Sequence, residues 1–418
     1  MATVRPEFSA MPWSARRIGE GVGGTRYPPI VSFSVPFNTL ARGRSKLPFA
    51  HESVYEPRRL LAAVPPSMAK RRREYLQKSV RSVDVTKSGG IGGLLEQFQT
   101  SSIQARNLGR CLEVWENALR DPKRPTIFLG LAGPLIAAGL RKVIRDLVDW
   151  GLVDVVVSTG AVLYQDLYQS VGGRHWMGTP AADDVRLRDL YLDRIYDTYV
   201  DELKFEDTDR VIGRITELFP RRPASSREYL GFLGSKFPDP ESILATAARR
   251  GVPVFSPALI DSSIGIGLTL YYQANRTRTD RFILDAVRDN YELVQILSQS
   301  PRTGVVYIGG GTPKNWINDG IVMANYAFGR EGEGHFYALQ VTTDLPDWGG
   351  LSGSTLDEAQ SWGKISRTAT RAMAHVDASI GLPLLAGALW DRRKKWSRRP
   401  RLRFDWKADT VRIRRAAH

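Results

Sequence analysis

The sequence has very little cysteine and no long apolar run, and both absences exclude classes of protein. Cys111 is the single cysteine among 418 residues, so the chain has no disulfide framework and no cysteine cluster for structural zinc, which suits a reducing compartment. No run approaches the roughly 20 apolar residues of a membrane span, and no apolar stretch near the N-terminus has secretory flanks. These absences predict a cytoplasmic protein without a membrane segment or a metal site. With 42% hydrophobic residues the chain can still bury a sizeable core.

The excess of positive charge is confined to the two ends of the chain. The formal charge is +15, yet residues 1–67 hold nine Lys and Arg against four Asp and Glu, and residues 392–415 hold twelve against two. The body between them is therefore net neutral, which argues against a nucleic-acid groove. The end at 392–418 interleaves Trp396, Phe404 and Trp406 with basic residues, so contact with RNA or acidic lipid stays open. We favour the simpler interpretation, a solvated basic C-terminal tail.

Residues 1–67 show neither helical nor strand periodicity and are rich in Pro, Gly, Ser and Arg. This composition predicts an N-terminal extension that is disordered or mis-assigned. Met68 resembles a translation start, because helical patterning follows it at once. A mitochondrial presequence is the alternative, since the segment is Arg-rich and poor in acids, but it contains no convincing amphipathic helix. We expect the folded domain to occupy 68–391.

Apolar strand patterns alternate with helical patterns from about residue 90 onward. Six runs have the composition of buried strands: 126–131, 152–157, 252–255, 305–308, 336–341 and 374–376. Helical spacing lies between them, as from Ile136 to Leu147 and from Ile283 to Val294. This alternation predicts an α/β fold with a Rossmann-like, mostly parallel sheet covered by helices on both faces. Ligands of such sheets bind at the carboxyl ends of the strands.

Small and polar residues follow five of the predicted strands. They are Thr159-Gly160-Ala161, Asp261-Ser262-Ser263, Gly309-Gly310-Gly311, Thr342-Thr343-Asp344 and Asp377-Ala378-Ser379. Glycine lets a backbone approach a phosphate, helix N-termini favour anions, and aspartates can hold ribose hydroxyls. One such set is more often a turn or a helix cap, but five at one sheet edge favour a nucleotide site. No GxGxxG fingerprint opens a helix after the first strand, so an ordinary Rossmann dehydrogenase is not supported.

A lysine beside a tryptophan is the second candidate feature. Ser361-Trp362-Gly363-Lys364 follows Asp357-Glu358. A desolvated lysine amine can form a Schiff base, and a tryptophan ring can stack on a cationic ligand. Composition alone favours the simpler alternative, a surface helix on which Glu358 and Lys364 are solvated.

Several segments, taken in chain order, carry a family resemblance. They are LLEQF at 94–98, QARNLGR at 104–110, TIFLG at 126–130, PVFSPALID at 253–261, the triglycine at 309–311, SWGK at 361–364 and DAS at 377–379. PVFSPALID is very similar to the PVFSPALTD segment of deoxyhypusine synthase, and the whole set resembles that family from about Gly92 to Leu389. The resemblance implies the family's NAD-binding fold.

The resemblance also implies a chemistry that composition does not. In that family NAD takes a hydride from spermidine, the imine is cleaved, and the butylamine unit passes to the lysine of the SWGK motif and then to a second amine. Lys364 matches that lysine, Trp362 the aromatic residue that stacks on substrate, and Glu358 an acid near the polyamine. Asn315 stands on the substrate side, where the family has a histidine. Residues that match NAD contacts are Thr159, Gly160, Asp261, Gly310, Thr343, Asp377 and Ala378. The family's usual assembly is a homotetramer with sites between subunits.

Departures from the family pattern fall on the polyamine side. Tyr164 and Gln165 stand where the family has paired glutamates, although Asp166 is kept. Ile266 stands where the family has a second aspartate, and GLSG at 350–353 stands in place of its acidic GSDSG stretch. Loss of a carboxylate that held a buried ammonium would weaken spermidine binding by roughly 2–5 kcal/mol. We therefore expect an aminobutyl transferase whose acceptor is a small diamine, as in homospermidine formation. Modification of a translation-factor lysine, as by a true deoxyhypusine synthase, and a non-catalytic NAD-binding protein are the alternatives.

Overall fold

The computed structural model describes residues 66–330 and 332–416. The chain divides into two units, Met1–Tyr75 and Leu76–His418. The described part of the first unit is helix α1 at Pro66–Tyr75, so Met68 lies within a helix. The prediction for 1–67 otherwise lies outside the described residues.

The second unit alternates helices and strands along its length. Its helices are α2 (Ile91–Phe98), α3 (Ile103–Arg120), α4 (Arg141–Asp149), α5 (Gly160–Ser170), α6 (Asp184–Asp189), α7 (Glu202–Thr216), α8 (Ser226–Lys236), α9 (Ile243–Arg250), α10 (Ser263–Ala274), α11 (Ala286–Gln299), α12 (Gly311–Ala327), α13 (Glu358–Ser361) and α14 (Ala378–Asp391). Its strands are β1 (Thr126–Leu131), β2 (Val155–Ser158), β3 (Trp176–Met177), β4 (Leu192–Ile195), β5 (Thr198–Asp201), β6 (Pro223–Ala224), β7 (Val254–Phe255), β8 (Ile283–Leu284), β9 (Thr303–Ile308), β10 (His335–Thr342), β11 (Ile365–His375), β12 (Leu402–Lys407) and β13 (Thr410–Arg415).

Six strands form one sheet in the order β11-β10-β9-β1-β2-β7, and every neighbouring pair is parallel. These are the six strands predicted from the sequence. The chain builds β1, β2 and β7 towards one side and places β9, β10 and β11 on the other, so the order reverses between β1 and β9. All six carboxyl ends therefore lie at one edge, and a reversal of this kind opens a crevice in which such sheets bind ligands.

Alternate residues of the buried strands face two separate cores. Ile127 and Leu129 of β1 pack in a core with α3, α4 and α14, whereas Phe128 packs in a second core with α11 and α12. Strands buried on both faces need apolar residues at successive positions, which explains the continuous apolar runs in the sequence. The predicted α/β fold with helices on both faces is confirmed.

Some boundaries differ from the prediction where a local signal outweighs periodicity. Ile283 and Leu284 form β8 instead of opening a helix, and α11 begins at Ala286 because the Asp285 carboxylate accepts a hydrogen bond from the Arg288 N–H at 2.9 Å. Strand β11 is 11 residues long, although its end alone was predicted. It is an edge strand, and the serine, threonine and arginine residues along it hide its periodicity.

The basic C-terminal segment is folded onto the sheet domain, so the predicted solvated tail is wrong for 392–416. Strands β12 and β13 form an antiparallel hairpin. Arg399 is buried and donates to Asp154 at 2.6 Å, and the Arg227 guanidinium lies 3.7 Å from the ring centre of Trp406. Internal contacts occupy Arg399 and Trp406, so this segment is not the free tail that the sequence predicted.

Two negative findings apply to 66–330 and 332–416. None of the helices there is long and apolar enough to cross a membrane. No group of three His, Cys, Asp or Glu side chains there is placed to hold a metal ion.

Candidate active site

The predicted strand-end sets all lie at the carboxyl edge of the sheet, but the strand order separates them into two groups. The β2/β7 group contains Thr159, Gly160 and Asp261; the β9/β11 group contains Gly310, Thr343, Asp377 and Ala378. With about 4.8 Å between neighbouring strands, β7 lies roughly 14 Å from β9 and roughly 24 Å from β11. One subunit therefore holds two separate clusters of candidate cofactor residues.

The β2/β7 group is packed closely and leaves two helix starts open. A Cβ on Gly160 would lie 2.4 Å from Ser262 Oγ, so glycine alone fits between these loops. The Thr159 N–H donates to Leu131 O at 3.1 Å, which fixes the loop to the end of β1. Helices α5 and α10 begin here, and neither has a side-chain cap. Their free N–H groups suit an anion.

In the β9/β11 group, the loop after β10 crosses the triglycine. Gly309 and Gly311 have φ values of +75° and +57°, the left-handed region that glycine readily adopts. A Cβ on Gly310 would lie 2.5 Å from Ser352 Cα, so a larger residue would displace that loop. Ser352 Oγ accepts a hydrogen bond from the Gly311 N–H at 3.0 Å, at the start of α12.

The strand-end residues fit the phosphates of a dinucleotide such as NAD through helix starts. α5 and α10 each begin after a strand end without a side-chain cap, whereas the first N–H of α12 is already bonded to Ser352 Oγ. Asp377 differs, because its carboxylate caps α14 by accepting the Ser379 N–H at 2.8 Å. Thr343 is exposed and Ala378 is half-buried at the first position of α14. The anion-binding features of this edge are thus clearer than its ribose-binding ones.

Lys364 lies in a pocket between α12 and the segment that contains α13. Its Nζ is 2.9 Å from Asp319 Oδ1 and 3.1 Å from Asn315 Oδ1. The Asn315 amide donates to Asp319 Oδ2 at 2.8 Å, so the three side chains form one network. A cavity of about 180 Å³ opens beside them. With 17% of its side chain exposed, Lys364 is not the solvated surface lysine that composition favoured.

Trp362 and Glu358 line the same cavity and are more exposed. Trp362 is 66% exposed, and its ring centre lies 5.5 Å from Lys364 Nζ. Glu358 is exposed at the first position of α13. The structure therefore brings the four predicted substrate-side residues, including Asn315, into one cavity. An open tryptophan face beside a lysine can receive a cationic amine.

Sequence reasoning missed a second lysine of this pocket, Lys314. It is 1% exposed. Its Nζ donates to Ser354 O at 2.5 Å, to Ser354 Oγ at 3.0 Å and to Ser352 O at 3.4 Å. Burial lowers the pKa of Lys314 to about 8, against the opposing charge of Glu358. The pocket thus contains two amines in different settings.

A helical pattern could have revealed Lys314. It shares a face of α12 with the buried residues Ile317, Ile321 and Ala324, at the spacing of an amphipathic helix. A lysine on the apolar face of a helix is an exception that signals a special role. Asp319 gave no comparable signal, because its contact with Lys364 joins residues far apart in the sequence.

Three of the residues that replace the family's acids lie outside the cavity beside Lys364, whereas Leu351 of the GLSG stretch lines it. Tyr164 and Gln165 are buried on α5, and Ile266 is 52% exposed on α10. Asp166 is fully buried and accepts a hydrogen bond from Arg141 at 2.7 Å, so it stabilises the fold and does not face the lysine pocket. The pocket and the β2/β7 side therefore contribute separate sets of residues.

Comparison with known proteins gives a consistent family. The family model described as deoxyhypusine synthase matches residues 93–389. "Probable deoxyhypusine synthase 2" of Methanosarcina acetivorans is 40% identical over 314 residues, which cover 74% of this chain and 89% of the relative. "Deoxyhypusine synthase-like protein" of Coxiella burnetii is 38% identical over 342 residues, which cover 80% and 95%. A solved structure from Entamoeba histolytica, described as a deoxyhypusine synthase, shares the fold with a TM-score of 0.50 and 17% identity, over 75% of this chain and 97% of that one.

Proposed function

Because the chain belongs to the deoxyhypusine synthase family, we propose that it is an NAD-dependent aminobutyl transferase in which Lys364 carries the transferred group. The family transfers aminobutyl groups, and the position of Lys364 carries the proposal for this chain. Its amine is held by Asp319 and Asn315, and it borders a cavity that an exposed tryptophan also lines. That arrangement suits a nucleophilic amine that must meet a cationic substrate.

Each pocket residue has a distinct part in the proposed reaction. NAD, when bound, supplies the hydride acceptor that converts the donor amine into an imine. Lys364 attacks the imine carbon as a neutral amine, and Asp319 and Asn315 orient its Nζ. The open face of Trp362 receives the cationic alkyl chain, and Glu358 at the cavity rim attracts its far ammonium group.

NAD binding is proposed for the carboxyl edge of the sheet. The uncapped starts of α5 and α10 would face its phosphates, and Gly160 and Gly310 would allow the backbone to come close. Asp261 and Asp377 would accept hydrogen bonds from ribose or nicotinamide, with Thr159, Thr343 and Ala378 beside them. Asp261 is the stronger candidate, because the carboxylate of Asp377 already caps a helix.

A homotetramer, the family's usual assembly, would complete the site. Within one subunit, the carboxyl ends of β2 and β7 lie roughly 10 Å and 14 Å from that of β9, counted in strand spacings. The Lys364 pocket lies beside α12, the helix that follows β9. A second copy of the chain can bring its own β2/β7 group against the Lys364 pocket. This separation supports sites formed between subunits, and the oligomeric state in solution tests it.

The composition of the pocket favours a small amine as acceptor. Asn315 and Leu351 line the cavity where the resemblance would place a histidine and an acidic stretch. Fewer carboxylates suit a diamine better than a triamine, which needs more negative partners. We therefore propose a homospermidine-forming reaction. The second candidate is transfer to a protein lysine, which the names of the archaeal relatives favour.

Borohydride trapping tests the proposed function. The full chain is incubated with NAD and, separately, with spermidine, putrescine or agmatine, then reduced and digested. Mass spectrometry is expected to find a stable alkylamine on Lys364. Lys142→Arg is the matched control, since that side chain is 64% exposed and outside the pocket. Absence of an adduct with every donor, or an adduct confined to other lysines, would contradict the proposal.

A further inference from the structure

Lys314 is buried to 1% exposure, and among the residues that the structure describes its ammonium forms no ion pair with a carboxylate. Removing an unpaired ammonium from water costs several kcal/mol. A residue needed only to bind two carbonyl oxygens could be a neutral amide, which would avoid that cost. The presence of an amine at this position therefore indicates a role that needs its ability to gain and lose a proton.

The hydrogen bonds around Lys314 can support both of its protonation states. As an ammonium, it donates to two carbonyl oxygens and to Ser354 Oγ. As a neutral amine, it keeps two N–H groups for the carbonyls of Ser352 and Ser354. Its lone pair can then accept the Ser354 hydroxyl, once that hydroxyl rotates away from Leu351 O, to which it donates at 3.0 Å.

The charges that face Lys314 come from three segments. Glu358 on α13 and Asp344 after β10 favour its charged form, while Lys364 before β11 opposes it. Burial outweighs the two acids and brings the pKa of Lys314 to about 8. About a tenth of the amine is therefore neutral at pH 7, and about half at pH 8.

Lys364 has no other evident proton acceptor in its described surroundings. Its two nearest partners are Asp319 and Asn315. A carboxylate is a far weaker base than an amine, and an asparagine amide takes no proton near neutral pH, so neither partner is suited to accept a proton from an ammonium. Lys314 borders the same cavity as Lys364.

Resting on the proposed transferase function, we propose that Lys314 is the proton acceptor that activates Lys364. The proton moves from the Lys364 ammonium to the neutral Lys314 amine, through water in the cavity. Lys364 Nζ then forms a bond to the imine carbon of the oxidised donor, and the bond from that carbon to the donor's nitrogen breaks. The departing amine takes the proton from Lys314, which returns to the neutral state.

The test measures single-turnover formation of the Lys364 adduct between about pH 6 and 10. In the unaltered protein the rate should rise with pH to a plateau, with a midpoint near the pKa of Lys314, about 8. Lys314→Arg keeps the cation and its donors but cannot release a proton, so it should lose about 100-fold or more in rate. NAD affinity should stay within about threefold. Gln340→Met is the matched control, since Gln340 also holds Ser352 O, at 2.8 Å, without proton chemistry; it should keep the pH midpoint.

Three results would overturn the proposal, and they separate its failure from that of the transferase function. If Lys314→Arg forms the adduct at a near-normal rate with the same midpoint, the proton-acceptor role is wrong although the enzyme function stands. The role is also wrong if reductive methylation of the full chain, followed by mass spectrometry, shows Lys314 titrating like an exposed lysine. If no donor gives an adduct even in the unaltered protein, the transferase function fails and the role of Lys314 fails with it.

Discussion

Two buried charge clusters in the same domain differ in whether the buried charged group faces a group of opposite charge. At the amino edge of the sheet, Asp154 receives hydrogen bonds from Arg124 at 2.7 Å and from Arg399 at 2.6 Å. In the Lys364 pocket, Lys314 is as deeply buried, yet its described partners are carbonyl and hydroxyl oxygens. A carboxylate paired with opposite charges resists a change of protonation, whereas a buried amine without a carboxylate partner changes its state more easily. The first cluster therefore stabilises the fold, and the second is the one for which we propose a chemical role.

The pKa directions agree with this division. Burial alone would raise the pKa of Asp154, but Arg399 and Arg124 hold it well below its usual range. A carboxyl with a lowered folded pKa contributes stability that is present above its unfolded value of 3.8 and lost as pH falls through the folded pKa. The cluster is therefore constant across the neutral range. Lys314, with a pKa of about 8, changes state within it.

The largest expected effect is on activity. Lys364→Arg should abolish the trapped adduct and the transfer product, because a guanidinium stays protonated and is a poor nucleophile. The unfolding free energy and NAD affinity should change little, which would separate chemistry from fold. Borohydride trapping, product analysis, denaturant unfolding and NAD calorimetry on the purified variant measure these four quantities. Full transfer activity in Lys364→Arg would show that the covalent mechanism is wrong.

Removing one arginine of the Asp154 cluster should lower stability clearly. Arg399→Met removes the hydrogen bonds of Arg399 to Asp154 and to Pro125 O, whereas Arg124 still pairs with Asp154, so the variant should lose about 1.5–3 kcal/mol of unfolding free energy. Arg414→Met is the matched control in the same C-terminal segment, since its pair with Asp405 is 57% and 37% exposed; it should cost less than about 1 kcal/mol. Denaturant unfolding of both variants measures the difference. Equal losses of unfolding free energy in the two variants would contradict the structural role proposed for the Asp154 cluster.

The pH dependence of the unfolding free energy should reveal the lowered pKa of the buried Lys314 amine. The folded pKa of Lys314, about 8, lies below its ordinary value of 10.5, so the unfolded state binds more protons between these values and stability rises with pH there. Relative to Lys314→Met, the unaltered protein should gain up to about 3 kcal/mol over this window. Arg399→Met should show no such slope. Denaturant midpoints at several pH values provide the test, and parallel curves for the Lys314 pair would contradict it.

Asp261 and Asp377, the two carboxylates proposed to bind NAD, differ in whether a contact within the protein already occupies them. The Asp261 carboxylate has no hydrogen-bond partner among the described residues, whereas Asp377 caps α14. Asp261→Ala should weaken NAD binding by roughly 1.5–3 kcal/mol. Asp377→Ala should cost about 1 kcal/mol of stability through the lost cap, with a smaller effect on NAD affinity. Calorimetry measures the NAD affinity of each variant, and thermal unfolding measures its stability. A larger loss of NAD affinity in Asp377→Ala than in Asp261→Ala would contradict the prediction.

The sheet and its edge were predictable from the sequence because they depend on local patterns. Buried runs gave the six strands, and their order along the chain placed the polar sets at one edge. The lysine of the SWGK motif came from the family resemblance, since its composition alone indicated a solvated residue. Its ion pair with Asp319 could not be predicted, because it depends on how α13 packs against α12.

The C-terminal hairpin shows a signal that charge concealed. Phe404 and Trp406 alternate with charged residues on β12, and Val411 and Ile413 do so on β13. This period of two is typical of a strand with one covered face. Interpretation by net charge predicted solvent exposure, because it did not count the buried acceptor that Asp154 provides for Arg399.

The smallest expected effect concerns Trp362, an exposed side chain that lines the Lys364 cavity. Its substitution tests whether the ring contributes to amine binding. At 66% exposure it contributes little to packing, so Trp362→Ala should change the unfolding free energy by less than about 0.5 kcal/mol. Its ring faces the cavity beside Lys364, and loss of a cation–π contact should weaken donor amine binding by about 0.5–2 kcal/mol. Trp348→Ala is the matched control, since that side chain is 79% exposed and does not line the cavity. Titration of each variant with the donor amine measures the difference. If both variants bind the donor equally well, the ring of Trp362 is a surface residue like Trp348, and the lysines act without it.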